Sequence, residues 1–416
     1  MSPLSVFWGS TLVGRLTETR SGLSFAYEAI DSPMISVAMP PTLQPYGDSR
    51  ARPFFHGLLP EGDARRIIAY DLGMRVEGGT DFEMLAALGR DCAGALVISG
   101  DERAPDGGED PTRSVPLRDD DIATKLRELP NEPLGITGDV RVSLTGMQPK
   151  LPLTRLADGS WVLPSPHRPS THILKPPSQN LPDSVPNQVF CMKVARSLGV
   201  DAATTELMEF GEVTALVSTR YDRRTNQDES IARVHQEDGC QALSILAISP
   251  RAKYQSADGG PSLGAIAALL DRWGPIRSRY ELLDHVFVTV AMGNADFHGK
   301  NVSLLHERDA VRLAPMYDVL STAGLSLLGG QEVSTTMGMR IGVATDIGQV
   351  TLGDLMDEAE AWGLRRSRAE RRAGELLDAL PDAIEMAARA VPTVPEERLD
   401  VIRARAERLR SEARGR

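Results

Sequence analysis

The sequence predicts an α+β protein with a β-rich amino-terminal half and a mostly helical carboxyl-terminal half, and three observations predict it. Short alternating apolar runs separated by turn residues recur through roughly the first 220 positions, the pattern of half-buried strands. Apolar residues at helical spacing fill 281–292 and return from 351 to the end. Between these helical stretches stands one polar loop, Gly293-Asn294-Ala295-Asp296-Phe297-His298-Gly299-Lys300-Asn301. Two short apolar runs follow it, and then Ala314-Pro315-Met316-Tyr317-Asp318.

In chain order, Val6-Phe7-Trp8 and Thr11-Leu12-Val13 flank Gly9-Ser10, and alternation follows in 23–27 and 35–39, so a small antiparallel sheet is expected over 4–39. The stretch 53–62 leads into a helix holding Ile67 and Ile68, and a second helix starts near Asp81. The glycines of Gly89-Arg90-Asp91-Cys92-Ala93-Gly94 predict close backbone packing before a strand, with Arg90 and Asp91 as a loop ion pair or as ligand contacts. Gly, Pro, Asp and Glu crowd 100–116, which reads as a linker. Residues 141–163 read as a hairpin entered through Ser143-Leu144-Thr145-Gly146-Met147-Gln148-Pro149-Lys150, a turn that could cover phosphates with backbone N–H groups and Lys150. Thr171-His172-Ile173-Leu174-Lys175 is a strand ended by two prolines. A lysine closing an apolar strand suits a phosphate partner or snorkels to solvent. A helix over 187–198 carries Gln188, a second hairpin spans 206–219, and Arg220-Tyr221-Asp222-Arg223 crosses into the next domain. From 351 onward three or four helices are expected, the last Arg-rich and read as a solvated face.

The chain of 416 residues is long enough for two or three domains, and 41% hydrophobic with 25% charged residues is ordinary for a globular protein. A net charge of −11 provides no global basic field for nucleic acid or anionic membrane, so any DNA association is expected through a partner. Three scattered cysteines, Cys92, Cys191 and Cys240, lack metal-type spacing and suit a reducing compartment. With no signal-peptide pattern and no apolar run of membrane-spanning length, a cytoplasmic protein is expected.

The polar loop carries the chemistry. A helix over 281–292 ending at Gly293 would hang the loop from a buried element, and a hairpin of Val302-Ser303-Leu304-Leu305 with Ala310-Val311-Arg312-Leu313 would return the chain to its start. Asp318 would then lie beside Asp296 and Asn301, giving two carboxylates and an amide oxygen. Hard oxygen donors of this kind suit Mg²⁺, which takes one or two protein carboxylates together with substrate phosphates. Phosphoryl transfer also needs a carboxylate near the attacking hydroxyl. That makes Asp296 the candidate base, with Asn301 and Asp318 as metal ligands. The spacing is similar to the aspartate-to-asparagine interval of a kinase catalytic loop, with Tyr317-Asp318 where Asp-Phe-Gly would stand.

With these residues in view, the sequence resembles the HipA family, bacterial toxin kinases of type II toxin–antitoxin modules. The marks are 54–62, 89–95, 143–150, 171–175, 220–223, 235–243, Lys253-Tyr254, 294–301 and 314–318. The resemblance implies a bilobal protein-kinase-like fold: an extra amino-terminal β-rich subdomain over 1–105, a kinase N-lobe over 106–220 and a helical C-lobe over 221–416. It implies serine/threonine kinase activity with ATP and Mg²⁺, Asp296 as base, Asn301 and Asp318 on the metal, and Lys175 on the phosphates. Thr145, Gly146, Met147, Gln148, Pro149 and Lys150, with His298, Gly299, Lys300, Asn301 and Tyr317, would line the nucleotide. Thr219, Arg220 and Tyr221 would form the hinge, and Ser143 would be the autophosphorylation site whose modification expels the loop and silences the enzyme. Implied partners are a HipB-like helix-turn-helix antitoxin, operator DNA through it, and a translation component of the aminoacyl-tRNA synthetase class as substrate.

Two departures from the family pattern bear on the site. Gln188 stands where a glutamate pairing with Lys175 is usual, and Thr219 replaces a usual hinge glutamate. Gln188 motivates a second reading, a catalytically silent relative acting by partner binding. A third is a hydrolase with Asp296, His298 and Asp318 around Zn²⁺ or Mn²⁺.

Overall fold

The computed structural model describes residues 2–74, 80–102, 115–135, 143–144, 148–165, 168–178, 181–256, 259–307, 310–325, 327–328, 331–332 and 334–415. Its two compact units do not follow chain order: the first is Met1–Pro176, Met208–Pro250 and Leu305–Asp309, the second Pro177–Leu207, Arg251–Leu304 and Ala310–Arg416.

In the first unit, a four-stranded antiparallel sheet runs in the order Gly22–Tyr27, Thr11–Thr19, Leu4–Trp8, Leu96–Ser99. Alternation drives one face inward, where Val6, Leu16, Phe25 and Ile98 meet Phe54, Phe55 and Leu85 of the helices Asp48–His56 and Asp81–Leu88. Each such side chain contributes about 1.5–3 kcal/mol on burial. The second of these helices starts on a capping box in which Thr80 and Glu83 satisfy each other's backbone N–H. The expected strand over 35–39 is instead a turn. Its alternating pattern has another cause: Ile35 N–H donates to the Tyr27 hydroxyl, while Ser36 Oγ and Val37 N–H donate to the buried Glu237 carboxylate at 2.6 and 2.9 Å.

Also in this unit, a five-stranded sheet has the order Trp161–Val162, Leu151–Arg155, His172–Lys175, Val213–Thr219, Thr205–Phe210. A helix that periodicity had not revealed, Asp119–Glu128, covers it with Ile122, Ala123 and Leu126 against Leu151, Leu153, Leu174 and Phe210. The linker expected over 100–116 falls mostly outside the described residues.

Buried charge joins the amino-terminal layer to the segment after the sheet. Asp91 Oδ1 accepts from Arg223 and Arg233 at 2.8 and 3.0 Å, and its Oδ2 accepts from Ser170 N–H and Oγ. Arg220 chelates Asp222, and Asp222 also accepts from Gly94 N–H at 2.7 Å. Burial alone would raise the Asp91 carboxyl, but Arg223, Arg233 and Arg220 overcome it and hold it at about 2. Asp91 does not pair with its neighbour: Arg90 points to the surface and binds Asp101.

The second unit is mainly helical. Ser184–Ser197 packs on the long Arg366–Ala390, Glu396–Arg414 packs on Arg366–Ala390 and Ile276–Met292, and Leu263–Trp273 lies against Ile276–Met292. Leu352–Ala361 completes the three helices beyond residue 351. A short hairpin of Thr336–Ile341 with Ala344–Asp346 stands beside them. Among the described residues no helix is long and apolar enough to cross a membrane.

Candidate active site

The helix Ile276–Met292 is buried along most of its second half and ends at Gly293, whose φ of 66° is the left-handed conformation that a residue without Cβ adopts freely. Beyond it the polar loop closes on its own backbone. Asp296 N–H donates to Asn294 Oδ1 at 3.0 Å, and Asn301 Nδ2 donates to the Asp296 carbonyl at 2.8 Å. That bond uses the nitrogen end of the Asn301 amide and leaves its oxygen as the donor atom for a cation. A single 3₁₀ turn, Gly299–Asn301, ends the loop and leads into the strand Ser303–Glu307.

Both ends of the loop are stitched to the segment that holds Asp318. Tyr317 Oη bonds the Lys300 carbonyl at 2.6 Å and Ser303 Oγ at 2.7 Å. Thr322 takes Ala295 N–H at 3.0 Å and donates its hydroxyl to the Gly293 carbonyl at 2.9 Å. The structure therefore brings together the Asp296 loop, Asn301 and the Tyr317-Asp318 segment, all in the second unit. Asp318 itself has a φ of 57°, a left-handed conformation costly for a residue with a Cβ. The helix Ser184–Ser197 grips this segment from its first half: Asn187 exchanges two bonds with Ser321, and Gln188 Nε2 donates to Asp318 Oδ1 at 2.6 Å.

The Asp296 carboxylate is 54% exposed and accepts a hydrogen bond from the Tyr254 hydroxyl. Tyr254 stands edge-on to His298, with ring centroids 5.1 Å apart. Gly338 N–H donates to the Ala295 carbonyl, and a Cβ on Gly338 would lie 2.6 Å from the Phe297 carbonyl oxygen. The sequence marks Lys253-Tyr254 as a point of family resemblance but assigns no role to Tyr254, Thr322, Gly338 or Asn187, because nothing in their spacing ties them to the loop.

The remaining expected residues lie as follows. Lys175 is buried at the end of its strand in the first unit, opposite Leu216 of Val213–Thr219. Thr219 is exposed at the end of that strand, and Tyr221 donates its hydroxyl to Gln236. Arg220 is committed elsewhere, because its backbone N–H bonds the Thr171 carbonyl and its guanidinium bonds Asp222, Ser170 and the Cys92 carbonyl. Gln148 and Lys150 are half-buried and Pro149 is exposed; Thr145, Gly146 and Met147 lie outside the described residues. Ser143 is fully buried, its Oγ donating to the Leu58 carbonyl at 2.6 Å and its N–H to the Asp91 carbonyl at 2.9 Å. The three cysteines are buried free thiols.

Among the described residues no group of three or more His, Cys, Asp or Glu side chains could hold a metal. The hydrolase reading needed such a cluster around Asp296, His298 and Asp318. One carboxylate and one amide oxygen instead fit a cation that keeps waters and takes phosphate oxygens.

The sheet-and-helix architecture and this loop define the class: a protein-kinase-like α+β fold. The chain belongs to the HipA family of kinases, since the HipA N-terminal domain profile matches residues 4–99 and the HipA-like C-terminal domain profile matches 142–384. It is 36% identical over 393 residues to “Putative kinase Y4mE” of Sinorhizobium fredii, covering 92% of this chain and 90% of that protein. To the serine/threonine-protein kinase toxin HipA of Shewanella oneidensis it is 28% identical over 342 residues, 76% of this chain and 75% of the toxin. Its fold is similar to that of Shewanella oneidensis HipA solved with HipB and its operator DNA, with a TM-score of 0.78 at 23% identity over 99% of this chain and 96% of that one.

Proposed function

We propose that the chain is an ATP- and Mg²⁺-dependent serine/threonine protein kinase of the toxin type. The observation that carries this reading is the stitched arrangement of Asp296, Asn301 and the Asp318 segment in a chain of the HipA family. Asp296 is the base: its solvent-facing carboxylate receives the proton of a serine or threonine hydroxyl as that oxygen bonds the terminal phosphorus of ATP and the bond from that phosphorus to the bridging oxygen breaks, releasing ADP. Asn301 Oδ1 and the Asp318 carboxylate would hold Mg²⁺, which when bound neutralises charge on the phosphate oxygens. Lys175 and Lys150, with the backbone of Thr145, Gly146 and Met147 and the Gln148-Pro149 turn, serve the phosphates. His298, Gly299, Lys300 and Tyr317 line the same nucleotide, and Thr219 and Tyr221 serve adenine through backbone groups. Arg220, whose N–H and guanidinium are already used, supports the hinge rather than contacting the ligand.

The expected partners are a HipB-like antitoxin, with operator DNA reached through it, in keeping with a net charge of −11. The expected substrate is a translation component such as an aminoacyl-tRNA synthetase. Ser143 is the self-silencing site. Its hydroxyl is buried against the Leu58 carbonyl, an acceptor that a phosphate cannot bond, so the modified residue must leave that seat.

Intact mass and site mapping of dephosphorylated wild type and Asp296→Asn after incubation with MgATP test this reading. One phosphate on Ser143 in wild type alone is expected. No phosphate in either protein, despite ATP binding, would refute kinase chemistry and favour a silent partner-binding relative.

A further inference from the structure

We propose that Gln188 is a positioning residue for Asp318: its side-chain amide holds that carboxylate in the orientation a metal ligand needs. The inference rests on the reading of Asp318 as the Mg²⁺-binding carboxylate and gives the departure from glutamate at position 188 a use.

The bond itself selects the residue type. Gln188 Nε2 lies 2.6 Å from Asp318 Oδ1, and Gln188 is 5% exposed, so the donor side of the contact is held within the protein. An amide nitrogen is a donor, whereas an ionised glutamate in its place has only acceptors to turn toward another acceptor. The amide brings no charge of its own against the aspartate. Ligating carboxylates are held in this way by outer partners whose loss weakens the metal.

The local backbone gives an independent reason why Asp318 needs holding. Its φ of 57° is left-handed, uncommon for residues other than glycine although aspartate tolerates it better than most. The hold on this segment comes from one helix turn. Asn187 clasps Ser321 through both its amide atoms, at 2.9 and 3.1 Å, while Gln188 takes Asp318 three residues earlier. Arg398, bonded to Asp183 at 2.7 Å, adds contacts to the Ser321 and Ala323 carbonyls. The Asn187-Gln188 pair thus fixes the 318–321 segment at two points, one on the backbone and one on the functional carboxylate.

The test uses Mn²⁺ as the probe, titrated by electron paramagnetic resonance against the full chain with a non-hydrolysable ATP analogue. Wild type, Gln188→Met and Asp318→Asn are compared. Methionine keeps the length and volume of the side chain and removes the donor. Gln188→Met is expected to weaken Mn²⁺ by about 10- to 100-fold. Its phosphoryl transfer should show a half-saturating Mg²⁺ raised by a similar factor, with the rate restored toward wild type at high Mg²⁺. Mn²⁺ affinity within twofold of wild type in Gln188→Met, while Asp318→Asn loses the ion, would overturn the proposal alone. A loss of activity that no Mg²⁺ concentration restores would assign Gln188 to packing and overturn it as well. Equal Mn²⁺ binding by wild type and Asp318→Asn would remove Asp318 from the metal site, and the role of Gln188 with it.

Discussion

Replacing Asp91 by asparagine should expose how the first unit holds its discontinuous segments together. The carboxylate is 2% exposed and receives Arg223 at 2.8 Å, Arg233 at 3.0 Å and both donors of Ser170, with Arg220 at 3.9 Å. At about 2, its carboxyl is ionised at any pH where the protein is handled. In Asp91→Asn the carboxylate shared by Arg223, Arg233 and Arg220 is gone, Asp222 remains against Arg220 and Arg223, and the new amide presents a donor toward donors. Breaking a buried pair by removing one partner costs about 3–5 kcal/mol. The crowding of positive charge is already visible at Arg223, lowered to about 10 by burial and by Arg220 despite its two aspartates. Urea unfolding of the full chain measures the loss, with Arg90→Ala as control. Arg90 joins Asp101 at the surface, where a pair is worth about 1 kcal/mol at most. If Asp91→Asn lost no more than that control, the network would not be what ties these segments together.

Further outcomes follow from the same contacts. Tyr254→Phe keeps the edge contact with His298 but removes the hydroxyl on Asp296. Loss of a hydrogen bond to a charged group should lower kcat about 10-fold with ATP affinity unchanged, as steady-state kinetics would show. Gly338→Ala places a Cβ against the Phe297 and His298 backbone and should cut kcat at least as strongly, while thermal melting moves by no more than an overpacked core residue requires, about 1–3 kcal/mol. Glu237→Leu leaves Val37 N–H and the His306 ring nitrogen without their acceptor and should cost about 3 kcal/mol or more, whereas Glu237→Gln should stay within about 1 kcal/mol; chemical denaturation orders the two. Burial depresses His172, His235 and His285 to about 4, 3 and 4 in the folded chain, so their stabilising contribution is complete above the unfolded value of 6.5 and is lost as pH falls. Each should remove about 2 kcal/mol by pH 5, and a flat stability profile between pH 7 and 5 would contradict that.

The sequence made the strands and helices legible where periodicity was strong and their ends chemically marked. The left-handed Gly293 after an apolar helix and the hairpin behind Asn301 are examples. It misled at 35–39, where alternation serves a turn whose polar groups go to Glu237, about 200 residues away in the chain. The helix Asp119–Glu128 went unread because its three leading aspartates and few apolar positions resemble the adjoining linker. In the site, the motif named the groups that do chemistry but none of their supports. A tyrosine, a threonine and a glycine that each meet the loop through one or two contacts leave no spacing to detect, and Asp91 next to Arg90 suggests a local pair although its partners are distant.

The partner type separates two uses of aspartate in this chain. Asp81, Asp91, Asp222 and Asp284 are each closed over by at least one guanidinium, and their charge is spent on joining segments. The Tyr254 phenol donates to the candidate base and the Gln188 amide to the candidate metal ligand, and both are neutral donors. A neutral donor fixes a carboxylate's orientation and leaves its charge in place, which proton acceptance and cation binding both require. Substituting an arginine for Gln188 would keep a donor and exchange orientation for neutralisation. The Gln188 amide therefore contributes orientation at Asp318, whereas the guanidiniums at Asp81, Asp91, Asp222 and Asp284 contribute orientation and neutralisation together.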